Sequence, residues 1–325
     1  MAAKLNFIAS GSIARLIQLY PPAGLWYGAR KQQLQDTSTA PTMAKLTGEQ
    51  HTGMKIAIQG EHGSFSHEAA MKLVPEAVIV PCSLSADVFK TVADGAAEAA
   101  VIPIENSLAG SILEHFDLLL THDLRVERET RLRIRHNLIV LPGVAIGEIE
   151  SVYSHPVALA QCRRFLAAHP AMTALAAYDT AGSVKRLVEQ DDRRAAAIAS
   201  ETAAHYYGAR ILEAGIEDNP ANFTRFFLVR RAADTVIDPE SNKISLAFSV
   251  ENCPGSLVAA LAGLADIGTN LTKIESRPVQ GKPWEYIFYV DCQIHSASER
   301  LRAIEALLPH CSMVKELGCY REAGC

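Results

Sequence analysis

The sequence has no apolar run approaching the roughly 20 residues that a membrane helix requires, so a transmembrane helix is excluded at the outset. It also lacks a basic excess. Lys and Arg total 31 against 36 Asp and Glu, a net charge of −5, and no block of like charge offers a nucleic-acid-binding face. No Cys-x-x-Cys pair or Cys/His spacing of a metal site occurs among the cysteines at 82, 162, 253, 292, 311, 319 and 325. Thiols that are scattered and odd in number fit a reducing compartment and point to the cytoplasm. Acid is missing from the start of the chain, where Asp36 is the first carboxylate. An acid-free stretch of Ser, Ala and Arg is like an organellar transit peptide. The plainer reading is a start placed too early, with Met43 or Met54 the true one. Residues 1–54 are therefore set aside as an N-terminal extension, disordered or mis-started.

What remains is ordinary globular material. The 325 residues are 49% apolar and 21% charged, enough for a substantial core and two or three domains. From 55 onward short apolar strands alternate with helical patterns. The periodicity predicts strands at 55–59, 78–81, 100–104, 137–141, 151–154, 175–178, 196–199 and 225–229. It also predicts a helix capped by Ser111 with Glu114 as a capping box, and another starting at Pro156. This alternation argues an α/β fold with largely parallel sheets. The segment 233–242 is polar, contains Pro239 and reads as a linker. After it, Ile244, Leu246, Phe248 and Val250 alternate with small residues, and the order β-α-β-β-α-β over 243–325 is ferredoxin-like. A unit of that kind with one exposed sheet face often pairs with a copy of itself.

Ligands in open α/β sheets collect where strands end and helices begin. One such junction carries Glu105, Asn106 and Ser107; alone it reads first as a helix-entry loop whose polar groups cap the chain. Three others put a hydroxyl near a helix start: Ser154 before Pro156, Thr180 in the run from Asp179 to Ser183, and Ser200 before Glu201. Free N–H groups and the helix dipole there favour an anion. Ser and Thr are equally good plain caps, so any single one is structural, whereas three together suggest an anion pocket. Gln161 lies two helical turns beyond Ser154. Thr224, after the turn signal Asp218-Asn219-Pro220, enters a strand from which its hydroxyl can face a cleft. His136 precedes another strand, and Arg225 should alternate to the face opposite Thr224.

Taken together, these segments resemble prephenate dehydratase. The resemblance covers about 55–320 and rests on ordered motifs: Gly60-Glu61-His62-Gly63-Ser64-Phe65-Ser66, Pro103-Ile104-Glu105-Asn106-Ser107, His136-Asn137-Leu138, Ser154-His155-Pro156 with Gln161-Cys162, Ala197-Ile198-Ala199-Ser200, and Thr224-Arg225-Phe226. The C-terminal unit looks like an ACT domain, with phenylalanine-binding signatures at Gly255-Ser256-Leu257-Val258 and Glu275-Ser276-Arg277-Pro278. The chain departs from the family pattern at Glu61 (usually Pro), Ser64 (usually Thr), Val157 (usually Gln) and Ser256 (usually Ala).

The resemblance implies a catalytic domain over 55–232, with two lobes like those of periplasmic binding proteins. Lobe 1 would be about 55–132 and 210–232, and lobe 2 about 133–209. The implied reaction turns prephenate into phenylpyruvate, water and carbon dioxide without a metal or cofactor. Thr224 would assist the leaving hydroxyl, with Glu105 as its relay and Asn106, Ser154 and Gln161 positioning the substrate. Ser107, His136, Thr180, Ser200 and Arg225 would bind it. Phenylalanine would bind between two ACT domains through Asn252, Pro254, Gly255, Ser256, Leu257, Val258, Glu275, Ser276, Arg277 and Pro278, in a homodimer or dimer of dimers. Truncation near 235 would then leave a phenylalanine-insensitive enzyme. Two alternatives stay open: an arogenate dehydratase giving phenylalanine directly, and a non-enzymatic amino-acid sensor.

Overall fold

The computed structural model describes residues 53–279 and 284–324. The expectations for the N-terminal extension fall, apart from its last two positions, outside the described residues.

The first half of the chain builds β1 (Lys55–Gln59), α1 (Phe65–Leu73), β2 (Val78–Cys82), α2 (Ser85–Ala93), β3 (Ala99–Asn106), β4 (Gly110–Ser111), α3 (Leu113–Thr121) and β5 (Leu124–Arg133). A second group follows: β6 (Asn137–Val140), β7 (Ser151–Ser154), α4 (Pro156–Gln161), α5 (Arg163–Ala168), β8 (Thr173–Ala176), α6 (Thr180–Glu189), β9 (Ala195–Ala199), α7 (Glu201–Tyr207) and β10 (Arg210–Ala214). The chain then returns through β11 (Phe223–Arg231). It ends in β12 (Lys243–Ser249), α8 (Ser256–Asp266), β13 (Asn270–Pro278), β14 (Tyr286–Gln293), α9 (Arg300–Leu307) and β15 (Met313–Tyr320).

These strands make two mixed sheets in which antiparallel pairings outnumber parallel ones, a correction to the largely parallel sheets expected from the alternation, because the chain returns through β11 antiparallel to both its neighbours and the ferredoxin-like unit pairs its own strands antiparallel. One is ordered β10-β6-β9-β7-β8 and forms the second lobe. The other runs β13-β14-β12-β15-β5-β11-β3-β1-β2, with β4 paired to β3. Its β15-β12-β14-β13 portion is the 4-1-3-2 order of a ferredoxin-like βαββαβ unit, as the sequence predicts. β11 lies between β3 and β5 and is buried from Thr224 to Val229, as a strand covered on both faces must be.

Several local expectations are corrected. Ser111 does not cap a helix: it sits in β4, and α3 starts at Leu113 with no side-chain cap. β8 begins two residues earlier than expected. Strands β5 and β10 carry too many charges to read as strands from the sequence. The exposed face expected on the ferredoxin-like sheet is covered instead. Phe116 and Leu119 of α3, with Phe227 of β11, share one core with Tyr289, Met313, Leu317 and Tyr320. Lys315 Nζ donates to the carbonyls of Leu119, Leu120 and His122, the free acceptors at the end of α3.

The seam between β15 and β5 is tight. Gly318 pairs with Val126, and a Cβ built on Gly318 would lie 2.2 Å from the Val126 carbonyl oxygen. Gly318→Ala must push two strands apart, so a stability loss of at least the ~1–3 kcal/mol usual for overpacking is expected. Urea unfolding of the variant beside the parent measures it. An unchanged midpoint would show that the seam yields freely.

Candidate functional site

The chain crosses between the two lobes twice, at 134–136 and 215–222, and the crossings lie side by side. Ile134 N–H donates to the Asn222 carbonyl, and Ile216 N–H donates to the His136 carbonyl. The first crossing delivers His136 to the junction of the lobes, and the second delivers Asn222 together with Glu217, which accepts from His136 N–H. Gln161 arrives there at the end of α4, where its carbonyl accepts from Asp218 N–H. From lobe 1, the antiparallel pairing of β3 and β11 sets Asn106 opposite Thr224 and Glu105 opposite Arg225.

Five of these side chains form one line of hydrogen bonds. Asn106 Nδ2 donates to Thr224 Oγ1 at 2.9 Å and to Asn222 Oδ1 at 2.8 Å. Asn222 Nδ2 donates to Gln161 Oε1 at 2.9 Å. His136 Nε2 meets the same oxygen at 2.9 Å. Because that oxygen only accepts, the ring must carry its proton on Nε2. Asn106 is itself fixed, since its Oδ1 accepts from the N–H groups of Leu108 and Ala109. The consequence falls on Thr224. Its oxygen is already engaged as an acceptor, and among the described residues its O–H meets no acceptor. A groove of about 410 Å³ opens beside this line; Gln161, Asn222, Leu108 and Arg163 line it together with two acids, Glu217, which is paired with Arg133, and Asp218, whose carboxylate accepts from the N–H groups of Arg163 and Arg164. Thr224 lies two hydrogen bonds further in, behind Asn106, and is 7% exposed.

The other expected site residues divide. Ser107 supports the junction, donating to the Ala221 carbonyl and accepting from Phe223 N–H. Ser154 is buried and donates to the Ile198 carbonyl across the second sheet, so it does not face the cleft, and His155 rather than a hydroxyl caps α4. Thr180 is not a cap either; the Asp179 carboxylate caps α6 through Gly182 N–H and fills the place proposed for an anion. Of the three expected hydroxyl caps only Ser200 acts as one, accepting from Ala203 N–H while donating to the Gly63 carbonyl at 2.5 Å.

Glu105 and Arg225 lie outside the cleft, contrary to expectation. Strand alternation turns both to the face opposite Asn106 and Thr224. The Glu105 carboxylate lies 3.1 Å from Lys273 Nζ, and the Arg225 guanidinium is ion-paired to Asp291 at 2.6 Å and to Glu129 at 3.6 Å. Glu105 is therefore no relay for Thr224, and Arg225 does not hold a ligand in the cleft. Asn222 is the site residue the sequence reading missed. Its position beside Thr224 after a turn was legible, but its reach to Gln161 depends on the lobe crossing.

Loop 60–64 latches the lobes. Gly63 adopts φ +83°, and a Cβ there would lie 2.6 Å from Ala203 Cα. Glu61 N–H donates to Asp179, while its carboxylate accepts from Tyr178 and pairs with Lys185 at 3.1 Å. The proline usual in the related pattern has neither that N–H nor that carboxylate.

Burial lowers the affinity of His62, His67, His115 and His136 for a proton below the ordinary imidazole value. His136 Nδ1 is buried without a partner, and His67 Nδ1 accepts from Gly63 N–H, so a proton on either costs structure. These groups bind more protons unfolded than folded below the ordinary value of ~6.5, so stability is full above it and falls as pH drops through it. A thermal-unfolding series from pH 7.5 to 5 should show a falling midpoint that His136→Gln partly flattens. A flat parent profile would contradict it.

The expected effector residues cluster at one end of the ferredoxin-like sheet, because Ser249 and Arg277 both register with Ile287. Gly255 caps α8 at φ +85° and Ser256 donates to the Glu251 carbonyl. Asn252, Pro254 and Val258 are exposed, while Leu257 packs against the unit's core. On β13, Ser276 and Pro278 face outward, whereas Glu275 accepts from Ser111 and Arg277 pairs with Asp117 of α3. Among the described residues no group of three or more His, Cys, Asp or Glu side chains is placed to hold a metal ion, and no helix is long and apolar enough to cross a membrane.

The family profile for prephenate dehydratase matches residues 56–234. The chain is 39% identical to "Arogenate dehydratase/prephenate dehydratase 2, chloroplastic" of Arabidopsis thaliana, over 82% of this chain and 72% of that protein. It is 37% identical to a bifunctional chorismate mutase/prephenate dehydratase of Aquifex aeolicus, over 83% and 74%. Among solved structures it is similar to the prephenate dehydratase of Arthrobacter aurescens in complex with L-Phe, with TM-score 0.75 and 32% identity, covering 82% of this chain and 90% of that one.

Proposed function

The chain belongs to the prephenate dehydratase family, and on that premise we propose that the line from Thr224 to His136 is where prephenate loses water and carbon dioxide. The substrate carries two carboxylates and a ring hydroxyl. The bond from the ring to its carboxylate breaks, releasing carbon dioxide, and its electron pair enters the ring. The ring C–O bond breaks and the departing oxygen takes up a proton to leave as water. The ring becomes aromatic, which supplies much of the driving force. The protein must orient the dianion and supply a hydrogen bond where charge builds on the leaving oxygen.

Thr224 fits that need. Asn106 occupies one of its lone pairs and leaves its O–H to donate, and this is the observation that carries the proposal. Gln161 and Asn222 line the adjacent groove and would orient the substrate, with His136 fixing the Gln161 amide. Ser107 shapes the loop beneath them.

The arogenate reading remains the second, favoured by the name of the Arabidopsis relative. Parallel assays decide: phenylpyruvate from prephenate is the expected dominant product, and faster release of phenylalanine from arogenate would reverse the assignment.

Regulation belongs to the same proposal. The ferredoxin-like unit acts as an ACT domain that binds phenylalanine between two copies at the Gly255–Val258 and Glu275–Pro278 segments and lowers turnover. Support comes from their shared end of the sheet and from the Arthrobacter relative solved with L-Phe. Ser256, whose hydroxyl is tied to Glu251, sets the strength of that response. A homodimer or dimer of dimers in the cytoplasm completes the reading, and the six free thiols among the described residues suit a reducing compartment.

A further inference from the structure

Glu105 and Arg225 lie directly behind the polar pair at the cleft. Asn106 and Thr224 face each other across β3 and β11 and share a hydrogen bond. Their chain neighbours, Glu105 and Arg225, face each other one step along the same pair, on the other side of the sheet. Each neighbour is ion-paired to the ferredoxin-like unit: Glu105 to Lys273 of β13 at 3.1 Å, and Arg225 to Asp291 of β14 at 2.6 Å. Lys273 and Asp291 are themselves opposite each other in the β13–β14 register. So two facing residues of one unit are tied to two facing residues of the other, directly behind the proposed catalytic pair.

The surroundings make this a stiff link. Asp291 also accepts from Ser245, which shares a hydrogen bond with Tyr320, and all three are buried. Lys273 also reaches Ser111 and approaches Glu275, so β13, which carries half of the proposed effector site, holds the Glu105 end directly. Two strands cannot shift without moving the side chains on both faces, because successive residues alternate across one backbone.

We infer that Glu105 and Arg225 are positioning residues, which set the separation of Asn106 and Thr224 through ion pairs to Lys273 and Asp291 and so carry the effect of an amino acid bound at β13 to the cleft. The inference rests on the catalytic and regulatory reading proposed above and adds the route between the two sites.

The test uses the full chain with Lys273→Met, Asp291→Asn and the double variant. Each is assayed for phenylpyruvate formation with and without saturating phenylalanine, and phenylalanine binding is measured separately by calorimetry. The readout is the ratio of the two rates within each variant, which a loss of folded enzyme does not move. Coupling between sites is ordinarily ~5- to 150-fold. The expected result is that the ratio falls toward one in each single variant, and further in the double, while phenylalanine still binds. Lys273→Met leaves Glu105 part-exposed to water and so guards against a trivial failure to fold. Variants that bind phenylalanine and are inhibited as strongly as the parent would overturn the inference. A parent that dehydrates prephenate but neither binds nor answers to phenylalanine would remove the regulatory reading, and the route with it.

Discussion

Thr224→Ala is expected to lower kcat by ~10²–10⁴, the range for a group that assists proton transfer, while the affinity for prephenate changes little. Thr224 reaches the junction of the lobes with one lone pair held by Asn106 and its proton uncommitted. The groove-lining contacts come from Gln161 and Asn222, which the substitution leaves in place. An effect confined to the chemical step should therefore appear in kcat and not in KM. Thr224→Ser keeps the O–H and should keep most of the activity. Steady-state kinetics of both variants, with folding checked by circular dichroism, measure the effect. Undiminished turnover in the alanine variant would take Thr224 out of the mechanism.

Removing the ferredoxin-like unit by ending the chain at residue 234 is expected to abolish the soluble, active enzyme. The sequence alone suggests the opposite, a catalytic domain merely freed from feedback. The packing argues otherwise. The cut strips Asp291 from Arg225 and Lys243 from Glu129, both buried. Arg225 and Glu129 keep each other at 3.6 Å but each loses its shorter partner, so the cut forfeits part of the ~3–5 kcal/mol that a fully unpaired buried charge would cost. It also exposes Phe116, Leu119, Val126 and Phe227, which share a core with the missing strands. Against a total stability of ~5–15 kcal/mol these losses are decisive. Expression of the shortened chain, with soluble yield, near-ultraviolet circular dichroism and dehydration assayed together, gives the answer. A soluble, fully active fragment would contradict the shared-core description.

The sequence carried the elements whose pattern is local. Strict alternation at Ile244, Leu246 and Phe248 marked β12, and Pro156 marked the start of α4. The 4-1-3-2 unit followed from element order alone. It failed where neighbours from distant parts of the chain decide. β5 reads as a charged stretch, yet Glu129 is buried because Arg225 and Lys243 meet it from β11 and β12. Glu105 sits inside a recognisable motif, but its neighbour Asn106, not Glu105, faces Thr224, because only every second residue of a strand shares a face. Hydroxyls near helix starts looked alike in sequence, whereas Asp179, His155 and Ser200 divide the capping among three different groups. Asn222 could be placed beside Thr224 but not beside Gln161, since that contact exists only once the chain has crossed between lobes.

The most direct test of the account is a crystal structure of the Thr224→Ala enzyme grown with prephenate. The account predicts intact substrate between the lobes, its carboxylates toward Gln161 and Asn222, and its ring hydroxyl within roughly 3 Å of where the threonine oxygen stood. Prephenate bound elsewhere, or bound there with its hydroxyl turned away from position 224, would contradict it.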